Sequence, residues 1–158
     1  MKINFISYGY KHYEGEGLAP PAHDFLFSLR DIANPFWVDE LKEFCGIEKP
    51  IIDFFKVNDS VQERLEKIQD LVLSFVRDFC ANKNRKDEDS LTFAFRCTGG
   101  RHRSVYFAEQ VCDFVSAFDF ERDMEFETEH VDLGRHYTDE QILKIMQKLE
   151  PEQKVETV

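Results

Sequence analysis

The chain has 158 residues, enough for one domain with one core, and 42% of them are hydrophobic, with 16 phenylalanines. Its 31 acidic and 20 basic residues give a net charge of -11 at pH 7. Such a charge disfavours bulk attraction to nucleic acid or to an anionic membrane. Any anion that the protein binds must therefore be held by a local pocket.

The four cysteines, at positions 45, 80, 97 and 112, form no Cys-x-x-Cys pair and no metal-ligand spacing. This argues against both a disulfide scaffold and a zinc module, and it indicates reduced thiols. No apolar leader and no apolar run long enough to span a bilayer is present. We therefore expect a cytoplasmic protein without membrane contact, bound metal or cofactor.

The first half of the chain predicts two short interior strands, over 2–7 and 24–29, separated by a loop that contains Gly and Pro. Asn34-Pro35 breaks the chain, and the next residues predict a short helix over 36–44, ended by Gly46. A second short helix is expected after Pro50. The clearest helix is predicted to begin at a capping box, Ser60 to Glu63, and to continue to about residue 79.

After a charged loop over 82–90, the apolar run 91–95 predicts a third strand, followed by a glycine loop and a helix to about residue 118. From residue 121 to 130 acidic side chains fall on odd positions, which predicts a half-exposed edge strand. Thr138 to Gln141 caps a last amphipathic helix that we expect Pro151 to end.

Alternating strands and helices predict a single three-layer α/β domain over 1–150, with a small, mostly parallel sheet and helices on both faces. Residues 151–158 are expected to form a flexible tail. In such a sheet, ligands collect beyond the carboxyl ends of the strands.

The most informative segment is Cys97-Thr98-Gly99-Gly100-Arg101-His102-Arg103-Ser104, which connects the third strand to a helix. Glycines allow the backbone to approach a ligand, and the free amides at a helix N-terminus attract anions. A plain strand-to-helix turn would need the glycines but not this concentration of Arg and His. We therefore predict a phosphate site.

The same segment fits the Cys-x5-Arg-Ser/Thr loop of cysteine-dependent phosphatases. In that alternative Cys97 attacks phosphorus, Arg103 holds the equatorial oxygens, and Ser104 assists departure of the thiolate. Arg96 stands where such enzymes usually have His, however, and no residue is nominated as the acid. We favour a structural, partly buried Cys97.

Several polar residues follow the ends of the other strands and are candidates for the same ligand. Ser7 and Lys11 follow the first strand, Arg30 and Asn34 follow the second, and His130 lies near the end of the edge strand. For Arg30 a surface salt bridge is an equally good interpretation, and for His130 a hydrogen-bonded core histidine. His12, His23 and His136 form no metal-ligand spacing, and we assign them no role.

The chain resembles the C-terminal domain of the RNase adapter RapZ family over residues 7–133. Five ordered landmarks carry the resemblance: Ser7 to Lys11, Asp24 to Arg30 with Asn34-Pro35, Gly46 to Pro50, Cys97 to Gln110, and His130 with Asp132-Leu133. The resemblance implies an α/β domain that binds a phosphorylated small molecule, glucosamine-6-phosphate in RapZ. It also implies contact with a regulatory RNA and oligomerisation.

RapZ carries an N-terminal P-loop domain, but no Gly-x4-Gly-Lys-Ser/Thr motif occurs here. We therefore expect no nucleotide hydrolysis, and a separate protein that supplies a P-loop or kinase-like domain is one partner left open. RNA binding is disfavoured, because Glu125, Glu127, Glu129 and Asp132 occupy a region that is basic in RapZ. Homo-oligomerisation is left open.

These observations give three hypotheses. The first is a regulatory or sensor domain that binds the phosphate of a sugar phosphate through Thr98, Gly99, Gly100, His102, Arg103 and Ser104, with Ser7, Lys11, Arg30 and His130 nearby. The second is a phosphatase that uses Cys97. The third is an RNA or protein adapter.

Overall fold

A four-stranded, entirely parallel sheet forms the centre of the computed structural model, which describes the backbone of residues 1–156 and the side chains of residues 1–147. Its order is β2-β3-β1-β4, and the strands are β1 (Lys2–Gly9), β2 (Phe25–Ser28), β3 (Ser90–Cys97) and β4 (Glu125–His130). The predicted single α/β domain with a parallel sheet is confirmed.

Phenylalanines dominate the buried face of the sheet. Phe5 of β1 pairs in register with Phe93 of β3, and Phe93 pairs with Phe25 of β2. Because paired residues of parallel strands project from the same face, these rings stack, with centroids 5.8 Å apart for Phe5–Phe93 and 5.4 Å for Phe25–Phe93. This aromatic layer forms part of the buried core and connects three neighbouring strands.

Four α-helices accompany the sheet: α1 (Lys49–Lys56), α2 (Asp59–Ala81), α3 (Arg103–Ser116) and α4 (Asp139–Glu156). Helix α3 packs on β1, β3 and β4, and α2 packs against α3. Buried apolar positions of α2 step by three and four residues, as the sequence predicted. One face of the sheet is thereby covered by α-helices.

The opposite face is covered near the carboxyl end of β1. There Tyr8 is fully buried, its hydroxyl donates to Glu14 at 2.6 Å, and its ring meets Tyr13 edge-on. Glu14 begins the second of two short 3-10 helices, Tyr10–His12 and Glu14–Glu16, and Tyr13 lies between them. These two turns place helical residues on the second face beside the strand exit.

Strand β4 is an edge strand with the predicted alternation. Phe126, Thr128 and His130 are half-buried, while Glu125, Glu127 and Glu129 are exposed. Because the side-chain period of a strand is two, the acidic row lies on the face away from α3. The prediction of a half-exposed edge strand is confirmed.

The helix predicted over 36–44 is wrong. The segment contains one 3-10 turn, Pro35–Trp37, followed by turns. Its backbone closes short i→i+3 turns in place of a continuous helical ladder, with Leu41 N donating to Val38 O at 2.9 Å and Phe44 N to Leu41 O at 3.0 Å. Near the end of the segment, Lys42 O accepts from His102 Nε2, and Glu43 O accepts from Tyr137 Oη and from Arg101. These tertiary hydrogen bonds attach the segment to the glycine loop and to the residues before α4.

Two helix ends also differ from the sequence-based expectation. The N-cap of α2 is Asn58, whose Oδ1 accepts from Val61 N at 3.2 Å, and the Ser60 hydroxyl donates to Asn58 rather than capping the helix. Helix α4 continues past Pro151 to Glu156, so the expectation that Pro151 ends this helix is wrong. The sequence predicted a flexible tail over 151–158. The structure describes the backbone of residues 151–156 but not their side chains, and residues 157–158 lie outside the described residues.

The start of α4 is built as predicted. Gln141 N donates to Thr138 Oγ1, and Thr138 N donates to Gln141 Oε1, which completes a reciprocal capping box. Ile142 and Ile145 then pack on a small separate cluster of buried residues, Cys45, Ile47, Val105 and Leu133. Helix α4 is thus anchored beside the N-terminal turn of α3.

Candidate functional site

The glycine loop lies where β3 ends at Cys97 and α3 begins at Arg103. Gly100 has φ of 73°, a left-handed conformation that glycine adopts without strain. A Cβ on Gly100 would lie 2.7 Å from Gly9 N, and one on Gly9 would lie 2.5 Å from the carbonyl carbon of Gly99. The exits of β1 and β3 therefore touch through their backbones, and two glycines are needed for this contact.

Asp132 stabilises the contact between the exit of β1 and the glycine loop. It is fully buried, its Oδ2 accepts from Gly9 N at 2.6 Å, and its Oδ1 accepts from Arg135 Nε at 2.6 Å. On the other side of the loop, Lys11 N donates to Thr98 O at 3.1 Å. The exit of β1 thus lies beside the glycine loop, as the parallel sheet predicted.

A cavity of about 620 Å³ opens above this loop. It is lined by backbone and side chains from the ends of β1, β2 and β3, together with the turn after β2: Lys11, Arg30, Ile32, Asn34, Phe36, Trp37, Cys97, Thr98, Gly99, Arg101, His102, Arg103 and His136. No Asp or Glu is among these described lining residues. The cavity is therefore a cationic compartment on an acidic chain.

Two of the cations can serve a ligand directly. Within residues 1–147, neither Lys11 nor Arg30 forms a salt bridge with a carboxylate. The guanidinium of Arg30 lies 3.8 Å from the centre of the Tyr10 ring, and its Nε is 3.5 Å from Thr98 Oγ1. The surface salt bridge that was the alternative interpretation of Arg30 is absent within the described residues, and Arg30 lines the cavity.

Arg103 is more than a ligand contact, because it connects α3 to the end of β2. It is 4% exposed, and its Nη1 donates to the carbonyl groups of Leu29, Arg30 and Ile32 at 3.2, 2.7 and 3.3 Å. Burial lowers the pKa of Arg103 below its usual value, and the nearby Cys97 opposes this effect. Three carbonyl dipoles hold the guanidinium, while no carboxylate neutralises its charge by a salt bridge within residues 1–147.

Cys97 is 2% exposed and contributes to the cavity wall. Its Sγ accepts from Gly100 N at 3.3 Å and lies 3.1 Å from Ser104 Oγ. These contacts hold the loop closed over the sulfur, and they also place a hydroxyl and an amide where they would stabilise a thiolate. The described residues that line the cavity include no Asp or Glu that could protonate a leaving group.

His102 is buried and neutral. Burial lowers its pKa to about 4, and hydrogen bonds to backbone carbonyls oppose the shift only in part. Its Nε2 is 3.1 Å from Lys42 O, and because a carbonyl can only accept, Nε2 carries the proton. His102 therefore lines the cavity as a hydrogen-bonded neutral ring rather than as a cation.

Four predicted site residues do not line the cavity. Gly100 and Ser104 are structural parts of the loop, and Ser7 and His130 lie inside the sheet–helix layer. Ser7 Oγ is 2.7 Å from His130 Nδ1, and His130 Nε2 is 2.6 Å from Glu109 Oε1 of α3. The structure thus brings together Lys11, Arg30, Thr98, Gly99, His102 and Arg103, and it places Ser7 and His130 in a separate buried network.

The cavity also contains residues that the sequence did not nominate. Phe36 and Trp37 lie in the segment expected to be helical, and His136, assigned no role, joins the wall from the far end of the chain. Burial and the positive charge of Arg101 lower the pKa of His136. One signal in the sequence could have identified part of the cavity wall. Two large aromatic residues are adjacent directly after Asn34-Pro35, in a segment whose helical pattern is weak.

The described residues contain neither a metal-binding cluster nor a membrane-spanning helix. Groups of three or more His, Cys, Asp or Glu with a metal-binding arrangement are absent from the described residues. Among the same residues, no helix combines the length and apolar content needed to cross a bilayer.

Comparison with known proteins agrees with this architecture. The family model of the RapZ C-terminal domain matches residues 1–134. A "Nucleotide-binding protein" of Shewanella halifaxensis is 37% identical over 111 residues, covering 70% of this chain and 36% of that protein. The "RNase adapter protein RapZ" of Hamiltonella defensa is 36% identical over 114 residues, covering 72% of this chain and 37% of the relative.

A "Nucleotide-binding protein" of Actinobacillus pleuropneumoniae is 31% identical over 137 residues, covering 87% of this chain and 43% of the relative. The chain thus spans less than half the length of these curated relatives. Because the family model extends over β1 to β4 and the glycine loop, it includes the elements that build the cavity. The chain belongs to the RapZ C-terminal domain family.

Proposed function

We propose that this domain is a regulatory or sensor module that binds the phosphate group of a small metabolite, with an amino-sugar or other sugar phosphate, such as glucosamine-6-phosphate, as the ligand. The observation that carries the proposal is the cationic cavity. A chain of net charge -11 keeps Lys11, Arg30 and Arg103 around one opening without a salt-bridge partner among the described residues, and Arg101, 3.8 Å from Glu43 Oε2, lines the same opening. A bound anion would neutralise this concentrated positive charge, and the charge in turn would attract the anion.

The phosphate end of the ligand is assigned to the loop side of the cavity. Gly99 has no Cβ, and the nearest side-chain atoms to the position of one are Cε and Nζ of Lys11, at 3.9 Å. Lysine and loop backbone therefore lie together at the N-terminal end of α3, where the helix dipole favours negative charge. Arg30 adds a forked donor suited to phosphate oxygens.

A binding role also fits the names of the relatives. Proteins named for nucleotide binding or for RNase adaptation are two to three times longer than the matched region, so those activities belong to the whole proteins. A domain that senses a phosphorylated metabolite would supply regulation to a partner, such as a protein with a P-loop or kinase-like domain. RNA is a weaker candidate because the chain is strongly acidic.

The proposal is tested by isothermal titration calorimetry with inorganic phosphate, glucose-6-phosphate, glucosamine-6-phosphate, unphosphorylated glucosamine and AMP. We expect saturable binding of phosphorylated ligands and none of glucosamine. Lys11→Ala should weaken binding about tenfold, which corresponds to one charged contact. Lys56→Ala, which removes an exposed α1 lysine outside the cavity, should leave affinity unchanged. Absence of binding to every phosphorylated compound would overturn the proposal.

One geometric observation supports the phosphatase hypothesis as a second candidate. Cys97 Sγ has Gly100 N and Ser104 Oγ within 3.3 Å, and Arg103 begins the helix that follows. These are the groups that would stabilise a thiolate nucleophile. The absence of a carboxylate from the described lining leaves the leaving group without an acid, which favours binding over turnover.

The two candidates separate with one variant. Under the phosphatase hypothesis, Cys97→Ser abolishes release of phosphate from p-nitrophenyl phosphate while ligand affinity stays nearly intact. Under the binding hypothesis, the wild-type protein releases no phosphate above a buffer control, and Cys97→Ser leaves both measurements unchanged. Cys97-dependent turnover would replace our first proposal with the second.

An adapter role makes a third, separable prediction. A protein partner would be retained by the immobilised domain in a salt-insensitive manner, and RNA would be retained with a steep dependence on salt. Because the net charge opposes RNA, we expect no RNA retention at physiological salt. RNA binding that weakens steeply with salt would contradict this expectation.

A further inference from the structure

Cys97 differs from the other three cysteines in its surroundings. Cys45, Cys80 and Cys112 lie outside the described lining of the cationic cavity, whereas Cys97 contributes to it. Burial raises the pKa of Cys45 and Cys112 to about 12, and it raises the pKa of Cys80 as well. A thiol that stays protonated is a poor nucleophile, so we expect these three side chains to react slowly.

The sulfur of Cys97 is surrounded by groups that donate hydrogen bonds. Gly100 N donates to Sγ at 3.3 Å, and Ser104 Oγ is 3.1 Å from Sγ, where its hydroxyl can donate to a thiolate. The guanidinium of Arg103 also interacts with Cys97, which opposes the effect of burial on the pKa of Arg103. An amide, a hydroxyl and a guanidinium are the partners that stabilise a thiolate, the reactive form of cysteine.

The guanidinium of Arg103 has one N–H group to spare. Arg103 is 4% exposed, its Nη1 donates to three carbonyl groups, and its Nη2 donates to Thr98 Oγ1 at 3.4 Å. Its Nε, in contrast, is buried and has no hydrogen-bond partner among the described residues. A buried donor without an acceptor is costly. An anionic oxygen atom on the sulfur of Cys97 would bring an acceptor to this guanidinium.

The cavity also gives a small molecule access to the sulfur. Cys97 is only 2% exposed, but it belongs to the wall of a cavity of about 620 Å³. Hydrogen peroxide is little larger than water, so it can reach a sulfur that bulky reagents cannot. Oxidation of a cysteine depends on thiolate character and on access. Cys97 meets both conditions.

We propose that Cys97 is a redox-sensitive modification site, where a peroxide forms a sulfenic acid that closes the cavity to phosphate. The thiolate sulfur attacks one oxygen of hydrogen peroxide, the S–O bond forms, and the O–O bond breaks. Hydroxide leaves, takes a proton from solvent and becomes water. The sulfur loses two electrons, and the peroxide gains them. Two equivalents of a thiol then restore the cysteine, with release of water and a disulfide of that thiol.

The loss of phosphate binding rests on the function proposed above, whereas the oxidation does not. The new oxygen occupies the space beside the glycine loop and accepts from Gly100 N and from Arg103. These donors are then shared with a second negative group, so an incoming phosphate meets less positive charge. We expect oxidation to weaken the binding of inorganic phosphate about tenfold.

Peptide mass spectrometry tests the oxidation. The reduced protein is treated with hydrogen peroxide, catalase removes the excess, and the chain is unfolded in urea with dimedone, which captures sulfenic acids. We expect the adduct at Cys97 to form at least about tenfold faster than at Cys112. Cys112 is the internal control, because it is more exposed than Cys97 but does not line the cavity.

Variants connect the oxidation to its surroundings. Ser104→Ala removes one donor from the sulfur and should slow the oxidation of Cys97 severalfold, and a urea titration checks that the variant is folded. Calorimetry with inorganic phosphate compares reduced, oxidised and dithiothreitol-treated protein. Affinity should fall on oxidation and return with dithiothreitol. Cys97→Ser should bind phosphate as the reduced wild type does and should not respond to peroxide, whereas Cys112→Ser should respond like the wild type.

The outcomes separate the modification from phosphate binding. Oxidation of Cys97 that is no faster than that of Cys112 overturns the modification site, whether or not phosphate binds. If Cys97 is oxidised selectively but the oxidised protein keeps its affinity for phosphate, the closing effect is wrong. If the reduced protein binds no phosphorylated compound, the proposed binding function fails, and mass spectrometry still decides the oxidation.

Discussion

Two polar clusters lie near the carboxyl ends of the parallel strands, and they differ in almost every other respect. The glycine loop opens into a cavity with several cations and no lining carboxylate. The cluster of Ser7, His130, Glu109 and Thr128 is closed beneath α3, and each member is hydrogen-bonded to another member. Position at a strand end is therefore insufficient to define a binding site. Accessible space and charge that the protein leaves unneutralised are also required.

Ser7, His130 and Glu109 of the closed cluster are hydrogen-bonded in the sequence serine, histidine, carboxylate, which is also found in hydrolytic triads. Since the Glu109 carboxylate accepts from His130 Nε2, Nδ1 of the ring is left to accept from the Ser7 hydroxyl. Ser7, however, is fully buried, so no substrate reaches it. We infer that this network stabilises the fold and takes no part in ligand binding. The four predictions that follow test this difference between the closed network and the open cavity.

The largest expected effect is on the loop itself. Gly100→Ala puts a Cβ 2.7 Å from Gly9 N and 2.9 Å from Asp132 Oδ2, at a residue of positive φ. We expect a loss of about 3 kcal/mol in the free energy of unfolding, measured by urea denaturation, together with loss of phosphate binding. Gly134→Ala, where a Cβ meets nothing within 4 Å, is the matched control. Equal stability of the two variants would contradict this description of the loop.

The second prediction concerns the closed network. Glu109→Ala removes the acceptor for His130 Nε2 and Thr128 Oγ1, at 2.6 and 2.9 Å, and leaves two polar groups without their partner. The expected loss of stability is about 2 to 3 kcal/mol. Ligand affinity of the folded protein should remain that of wild type, as in the exposed control Glu66→Ala. A clear loss of affinity would place this network in the site after all.

The third prediction uses pH to test the wall of the open site. Burial lowers the pKa of His102 to about 4, so the unfolded chain binds more protons than the folded one in the range above that pKa. The stability from neutral His102 is present above about pH 6.5 and is lost as the pH falls toward 4. Between pH 6.5 and 4.5 this amounts to about 2 kcal/mol.

His12 and His136 also have lowered pKa values, so the effect of His102 is measured as a difference between proteins. His102→Gln keeps a donor near Lys42 O but does not titrate, and its stability should fall less between pH 6.5 and 4.5. Urea midpoints at four pH values give both slopes. Parallel slopes for wild type and His102→Gln would show that His102 is not buried neutral.

The smallest expected effect separates binding from stability. Arg30→Ala should weaken phosphate binding about tenfold and change the free energy of unfolding by less than about 0.5 kcal/mol, because its guanidinium stacks on Tyr10 at the surface. Arg77→Ala is matched to it, since Arg77 lies over Phe118 on a face without the cavity. Calorimetry that gave both variants wild-type affinity would remove Arg30 from the site.

The sequence predicted the strands because each is a short apolar run bounded by breakers, and the exit of β1 beside the glycine loop followed from their parallel arrangement. It could not place Ser7 and His130, because their distance from the cavity depends on how far α3 extends over the sheet. Glu109 was missed for the same reason. The segment of Phe36 and Trp37 was predicted to be a helix, because local periodicity does not distinguish a short helix from the series of turns that forms there.

The acidic side chains along β4 affect whether two copies of this domain can pair through their edge strands. Edge strands expose unpaired backbone groups that can recruit another chain, and charged side chains are a common protection against this. Glu125, Glu127 and Glu129 repeat along the exposed edge, with Lys2 bound to Glu127 at 2.9 Å as partial compensation. Two such edges brought together would repel, so the acidic row disfavours edge-to-edge pairing of two copies through β4.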